Sequence, residues 1–525
     1  VPAGASELEA ELLYVMPVQQ EYLEVSLGVV ASIKLGIINW NALILSPKGQ
    51  PASEVTYTPS LRLPPGWKCA TALPGAQKNA GAFTFATVPM DQLADCPVLA
   101  GAHLRVIPLE LADDCPHEID LATESENGAD LPADLRTGFT RMAAEAGALF
   151  GSRHYPSFRY LLALSDGIPA FGLEHPACSV NSASPRALAN DPASRWWLTF
   201  LMPHEYTHSW NGKFRRPADM VTRDFSQPQQ MDLLWVYEGL TQYLGLLIDA
   251  RSGLWSAEQF RDELARTAAN LDHATAREWR PLLDTAIAAP LHASVAGHSW
   301  RGISDYYYEM VFVWMEADML IRAKSGGKRS LDDFCKAFFG GPGGKTGISP
   351  YAETDIFNAL DQIAANDWRS FFHVRLTSTS ARPPFTGLEA SGWRLVYNEK
   401  PPPDDHGHGM VDLSHAMGLV LSGDGTIIEV LFSTEAWRAG LRTGMKVLAI
   451  NDQRWSPAAC LAALQACKAP GKPCNFLIED GNRVLTYACA YRDGVKFPHL
   501  ERDASKPDVL GKIMAPAARV YPAGP

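Results

Sequence analysis

No stretch of the chain approaches the ~18 to 20 unbroken apolar residues that a membrane-spanning helix needs, so no transmembrane helix is expected. Basic residues are in the minority: 46 Lys and Arg stand against 58 Asp and Glu, a formal net charge of −12. A nucleic-acid-binding surface would want a basic stripe, and this balance argues against one. An acidic excess chiefly aids solubility. Cysteine is sparse, nine in 525 residues, an odd number with no CxxC pair. That argues against a cysteine-built metal site. Cys460, Cys467 and Cys474 recur at intervals of seven. Buried free thiols are the favoured reading there, with one disulfide as the alternative. Repeats at solenoid periods are absent. The chain opens at Val1 without a charged-then-apolar signal segment, which favours a periplasmic or secreted protein whose leader has been removed, with the cytoplasm as alternative.

What is present is an ordinary globular composition, 46% apolar and 20% charged, in a chain too long for one core. Residues 1–110 read as β-rich: "EYLEVSLGVV", "EVTYTPSLRL" and "GAFTFATV" alternate apolar and polar residues between Gly/Pro clusters such as "LPPGW". Residues 111–260 mix helices and strands. "DLPADLRTGFTRMAAEAGALFG" has an acidic first turn, helical apolar spacing and a closing glycine. "RYLLALSD" reads as a buried strand, and "SRWWLTFLMPHEYTHSW" as a helix in which Pro203 marks a kink or a start. Residues 261–390 are dominated by helical patterns closed by Gly-rich loops, and "LLWVYEGLTQYLGLLIDARSG" before them predicts one helix. Strand-like patterns return over 391–500, and 501–525 reads as a C-terminal tail.

The chemistry concentrates in His204-Glu205-Tyr206-Thr207-His208, an HExxH pattern. Residues four apart share one helix face, so both imidazoles can meet one ion while Glu205 sits beside it. Imidazole nitrogen suits zinc, and a catalytic site keeps one position open. The pattern by itself is only suggestive, and a third ligand discriminates. Glu238 lies in the strongly apolar "LLWVYEGLTQYLG". A carboxylate among Leu, Trp and Tyr needs a partner, which a cation supplies. The bland alternative places Glu238 on the polar stripe of a surface helix.

Two histidines followed by a glutamate from a later helix resemble the gluzincin superfamily. Within it, "HEYTHSWNGKFRRP" and "LLWVYEGLTQY" closely resemble the glycyl aminopeptidase family, whose members often carry a C-terminal PDZ domain. The matching positions are His204, Glu205, His208, Trp210, Asn211, Lys213, Pro217, Trp235, Glu238, Gly239, Thr241 and Tyr243. The resemblance implies an α+β multidomain fold. A shortened β-sandwich-like N-terminal domain covers 1–110. A thermolysin-like catalytic domain over 111–260 is completed by the helical 261–390. A PDZ domain covers 391–500. It implies one zinc per chain on His204, His208 and Glu238, with Glu205 as general base.

"FGLEHPACS" resembles the family's GGLEHxxS segment, an edge strand beside the substrate. By that resemblance Gly172 and Leu173 bind substrate and Glu174 holds the free α-amine. Phe171 departs from the usual glycine, and a narrowed first pocket or an altered side-chain preference is expected from it. "ISDYYYEM" resembles the family's SYYxKG helix start and gives Tyr307 the oxyanion, with Tyr306 and Tyr308 as alternatives. A neutral phenol aimed at developing charge suits that task. The usual Lys-Gly is Glu309-Met310 here. The implied partners are peptides with a free N-terminus, N-terminal glycine above all. "MGLVL" is expected either to capture a peptide C-terminus or to belong to an appendage that shields the cleft. Two alternatives stay open: a zinc endopeptidase or oligopeptidase of the same superfamily, and a PDZ adaptor with a degenerate peptidase domain.

Overall fold

The computed structural model describes residues 29–518, apart from 80, 113–114, 292–297, 342, 344–346, 381, 403–409 and 470–473. Most of the first expected strand, "EYLEVSLGVV", lies outside the described residues. Its end, Val29–Ala31, opens an antiparallel four-stranded sheet completed by Leu35–Ile38, Val98–Gly101 and Lys68–Thr71.

A five-stranded mixed sheet follows. His103–Leu109 is antiparallel to His117–Thr123. Phe158–Leu164 and Cys178–Ala183 then add in parallel, and Gly172–Glu174 closes the edge antiparallel to Cys178–Ala183. Alternation along these strands splits their side chains between two cores. Ile119, Leu121, Tyr160, Leu162 and Leu164 face the helices. Ala122, Leu161, Ala163, Cys178 and Val180 pack with Val30, Leu35, Ile37, Ala70 and Leu99 of the N-terminal sheet.

The helix Ala133–Phe150 ends at Gly151, whose φ of 72° is the left-handed stop that glycine favours. Pro192–Thr207 carries the HExxH pattern. Asp191 caps it by accepting the Ser194 N–H at 3.0 Å, and Pro192 occupies the first turn. Pro203 lies inside this helix and neither starts nor ends it. "LLWVYEGLTQYLG" forms two helical pieces, Leu234–Tyr237 and Gly239–Ser252, meeting at Glu238. The backbone bonds run through the junction: Glu238 N–H to Leu234 O at 2.8 Å, Gln242 N–H to Glu238 O at 2.7 Å. The helices Ala257–His273, with a Ser256/Gln259 capping box, and Asp305–Lys324 follow.

Three sequence expectations change. Residues 111–260 and 261–390 share one apolar core that runs from Leu109 to Met514. Of the expected C-terminal tail, the described residues 501–518 join the main fold. The strand Phe497–Arg502 pairs with Trp393–Asn398, and the helix Leu510–Ile513 buries Leu510 and Ile513 in that core. The module hung between those strands has its own core, from Val411 to Val495, and its own sheets. Cys467 and Cys474 form a disulfide inside it, where free thiols were favoured, while Cys460 stays a buried free thiol.

Candidate functional site

His204 and His208 stand one turn apart on the helix Pro192–Thr207 and at its C-cap, and Glu238 faces them from the helix junction. His204 Nε2 lies 3.1 Å from His208 Nε2, and Glu238 Oε2 lies 3.4 and 3.2 Å from the two. Atoms bound tetrahedrally to one zinc ion would sit about 3.3 Å apart, so the spacing fits. His208 Nδ1 is 2.9 Å from the Asn211 carbonyl, to which it donates, so the lone pair of a neutral ring is left at Nε2. Two imidazole nitrogens and the Glu238 Oε2 oxygen thus converge in a buried place. Such a set calls for a cation. Burial lowers the His208 pKa, yet Glu238, Glu174 and Glu205 outweigh it and push it up to about 9.

Asn211 also ties the two ligand-bearing segments together. Its amide donates to Val236 O at 2.7 Å and lies 3.0 Å from Thr241 Oγ1. The sequence picked out both residues as motif positions but gave them no task.

Glu205 is buried beside the ligand set. Burial first, and then Glu174 and Glu238, push its pKa well above the ordinary carboxylate range against the pull of His208 and Lys213. Gly172 presses on it directly: a Cβ there would lie 2.1 Å from Glu205 Oε1. Along the edge strand, Phe171 O and His175 N bond to the neighbouring strand. The alternate residues Gly172 and Glu174 therefore turn their main-chain groups to the open edge. Glu174 Oε1 accepts the Tyr237 hydroxyl at 2.5 Å. Burial raises the Glu174 pKa, but Lys213, His208 and Tyr237 together leave it below the usual value.

Phe171 does not narrow a pocket. It is 1% exposed and packs in the core between the two sheets, with Leu173 beside it. Period-2 alternation puts both side chains behind the strand, so only the main chain of Leu173 remains near the cleft. Of the three tyrosines, Tyr307 sets its ring 5.8 Å from that of His204. Tyr306 is buried beside it at 4.9 Å, and Tyr308 is 38% exposed.

Residues 197–313, which hold all of this except the edge strand, match the M61 glycyl aminopeptidase family. Residues 18–102 match the peptidase M61 N-terminal domain. The chain carries the domains of the M61 glycyl aminopeptidase family. Among solved structures, this chain is similar in fold to an aminopeptidase N family protein from Idiomarina loihiensis. The TM-score is 0.75 at 20% identity, over 93% of this chain and 84% of that one. An M1 zinc metallopeptidase from Deinococcus radiodurans matches at a TM-score of 0.45 and 17% identity, over 69% of this chain and 74% of that one. No curated protein matches the chain.

The site also draws on the N-terminal unit, which no spacing in the sequence announces. Asp95, at the end of the short helix Met90–Ala94, accepts from Lys213 Nζ at 3.2 Å. No helix among the described residues is long and apolar enough to cross a membrane.

Proposed function

We propose that this M61 peptidase is a zinc aminopeptidase with one ion on His204, His208 and Glu238. The convergence of two imidazole nitrogens and a carboxylate oxygen on one buried point carries the reading. A bound zinc ion would acidify water and polarise the scissile carbonyl. The protein's own groups do the rest. The free edge at Gly172 and Glu174 aligns the substrate main chain as an added strand. Glu174 receives the α-ammonium, which sets the first carbonyl over the ligand set. Glu205 takes the proton from water and returns it to the leaving amine. Tyr307 donates its hydroxyl to the developing oxyanion, and its place against His204 favours it over Tyr306 and Tyr308. The products are a free amino acid and a shortened peptide. The family's description makes N-terminal glycine the expected residue.

The C-terminal module is assigned as PDZ-like and structural. The strand Leu419–Ser422, which begins within "MGLVL", is central in its sheet, flanked by Met410–Leu413 and Ile427–Val430. Capture of a peptide by strand addition needs an open edge, which favours the appendage reading over docking. The disulfide supports an oxidising, extracytoplasmic compartment.

The test is metal analysis with a substrate panel. About one zinc per chain is expected, and Glu205→Gln should keep it while losing at least about 10³-fold in kcat. Loss of zinc in that variant would give Glu205 a structural role. Free glycyl peptides should be cleaved and N-acetylated ones spared. Equal cleavage of both would establish the endopeptidase alternative, and absence of zinc the adaptor.

A further inference from the structure

Both donors that hold Glu174 sit on one carboxylate oxygen. The Tyr237 hydroxyl donates to Oε1, and the Lys213 ammonium lies 3.7 Å from the same atom. Oε2 is left for an incoming ammonium. Lys213 does not end there. Its Nζ donates to Asp95 Oδ1 at 3.2 Å, and His175 Nδ1 lies 3.1 Å from that oxygen. Glu174, Lys213 and Asp95 are largely withdrawn from water, with side-chain exposures of 18%, 13% and 27%. Burial raises the Asp95 pKa, but Lys213 and His175 hold it far below the ordinary range, so this carboxylate is ionised.

The charges explain why Asp95 is there. An ammonium so close to the anchor would repel the substrate's own ammonium, and weakly screened interiors make that repulsion large. Paired with Asp95, Lys213 becomes a neutral strut that orients Glu174 without competing for it. The strut crosses between units, since Asp95 precedes Lys213 by 118 residues. We infer that Lys213 is a positioning residue for the amine anchor, and that Asp95 is the counter-charge that lets it serve as one. The N-terminal unit thereby takes part in recognising the substrate's free N-terminus. This rests on the role proposed above for Glu174.

The experiment is steady-state kinetics of the full, zinc-loaded chain on glycyl 4-nitroanilide, with zinc content and melting checked for every variant. Lys213→Met and Asp95→Asn should each raise KM by about tenfold or more while kcat stays within about threefold. Lys213→Arg should restore most of the affinity, because a guanidinium can bridge the same two carboxylates. Adding Lys213→Met to Glu174→Ala should cost nothing further, since the strut then has nothing to hold. An unchanged KM in Lys213→Met, or losses that multiply in the double variant, would overturn the inference. If Lys213→Met does not fold, Asp95→Asn decides, and an unchanged KM there overturns it equally. An unchanged KM in Glu174→Ala would instead sink the amine anchor itself, whatever Lys213 does.

Discussion

At Gly172 a single hydrogen atom separates the edge strand from the Glu205 carboxylate. An added Cβ would also meet Leu201 Cδ1 at 2.6 Å, so neither neighbour leaves room. We predict that Gly172→Ala moves the carboxylate and lowers kcat by about 10²-fold, the scale of loss for a displacement near 1 Å. Zinc content and melting temperature should be unaltered. Normal turnover in a folded Gly172→Ala chain would show that the Glu205 position tolerates this shift. The sequence identified Gly172 by its motif, but the demand for glycine is a contact with a residue 33 positions later. Phe171 shows the converse. Read one residue at a time it belonged to the pocket, and strand alternation turned it to the other face.

Among the elements, the helix Gly239–Ser252 is the keel of the site. A Cβ at Gly245 would lie 3.2 Å from the His204 backbone, and one at Gly239 would lie 2.6 Å from Tyr306 O. Two glycines six positions apart thus let this helix approach the histidine helix and the tyrosine helix closely. The tyrosine helix is held by Glu309, the residue that replaces the family's usual lysine. Glu309 is fully buried, and Arg277 Nε lies 3.0 Å from its Oε2. Arg277 also donates to Ser378 O at 2.6 Å and to Arg375 O at 2.8 Å. Removing one member of a buried pair strands the other charge. Glu309→Ala should therefore cost about 3–5 kcal/mol in denaturant unfolding; a loss below about 1 kcal/mol would show the pair to be dispensable. Helix positions were legible from period and from a closing glycine, as at Gly151. The irregularity at Glu238 was not, because an apolar run carries no mark of where a helix must turn a carboxylate inward.

For the molecule as a whole, the last described helix decides how the chain is divided. Leu510 and Ile513 are buried, and Arg251 Nε donates to Ile513 O at 2.9 Å. Ending the chain at Arg502 removes both side chains from the main core. The loss should be about 2–5 kcal/mol for each, read as a lowered unfolding midpoint of the peptidase unit. A tail would leave that midpoint where it is. The C-terminal module touches the helix His298–Arg301 through Glu429 Oε1, which accepts the Ser299 N–H at 2.8 Å and its hydroxyl at 2.7 Å. By itself the sequence determined that two imidazoles, His204 and His208, stand one helical turn apart, because that spacing is set by local geometry. It determined the helices, because their periods and caps are also local. Only the tertiary structure decided that Asp95 reaches Lys213, that Phe171 is core and Tyr307 faces His204, and that residues after 500 complete the main core. These depend on packing between segments far apart in the chain, and no short-range pattern encodes which distant side chain fills a given space.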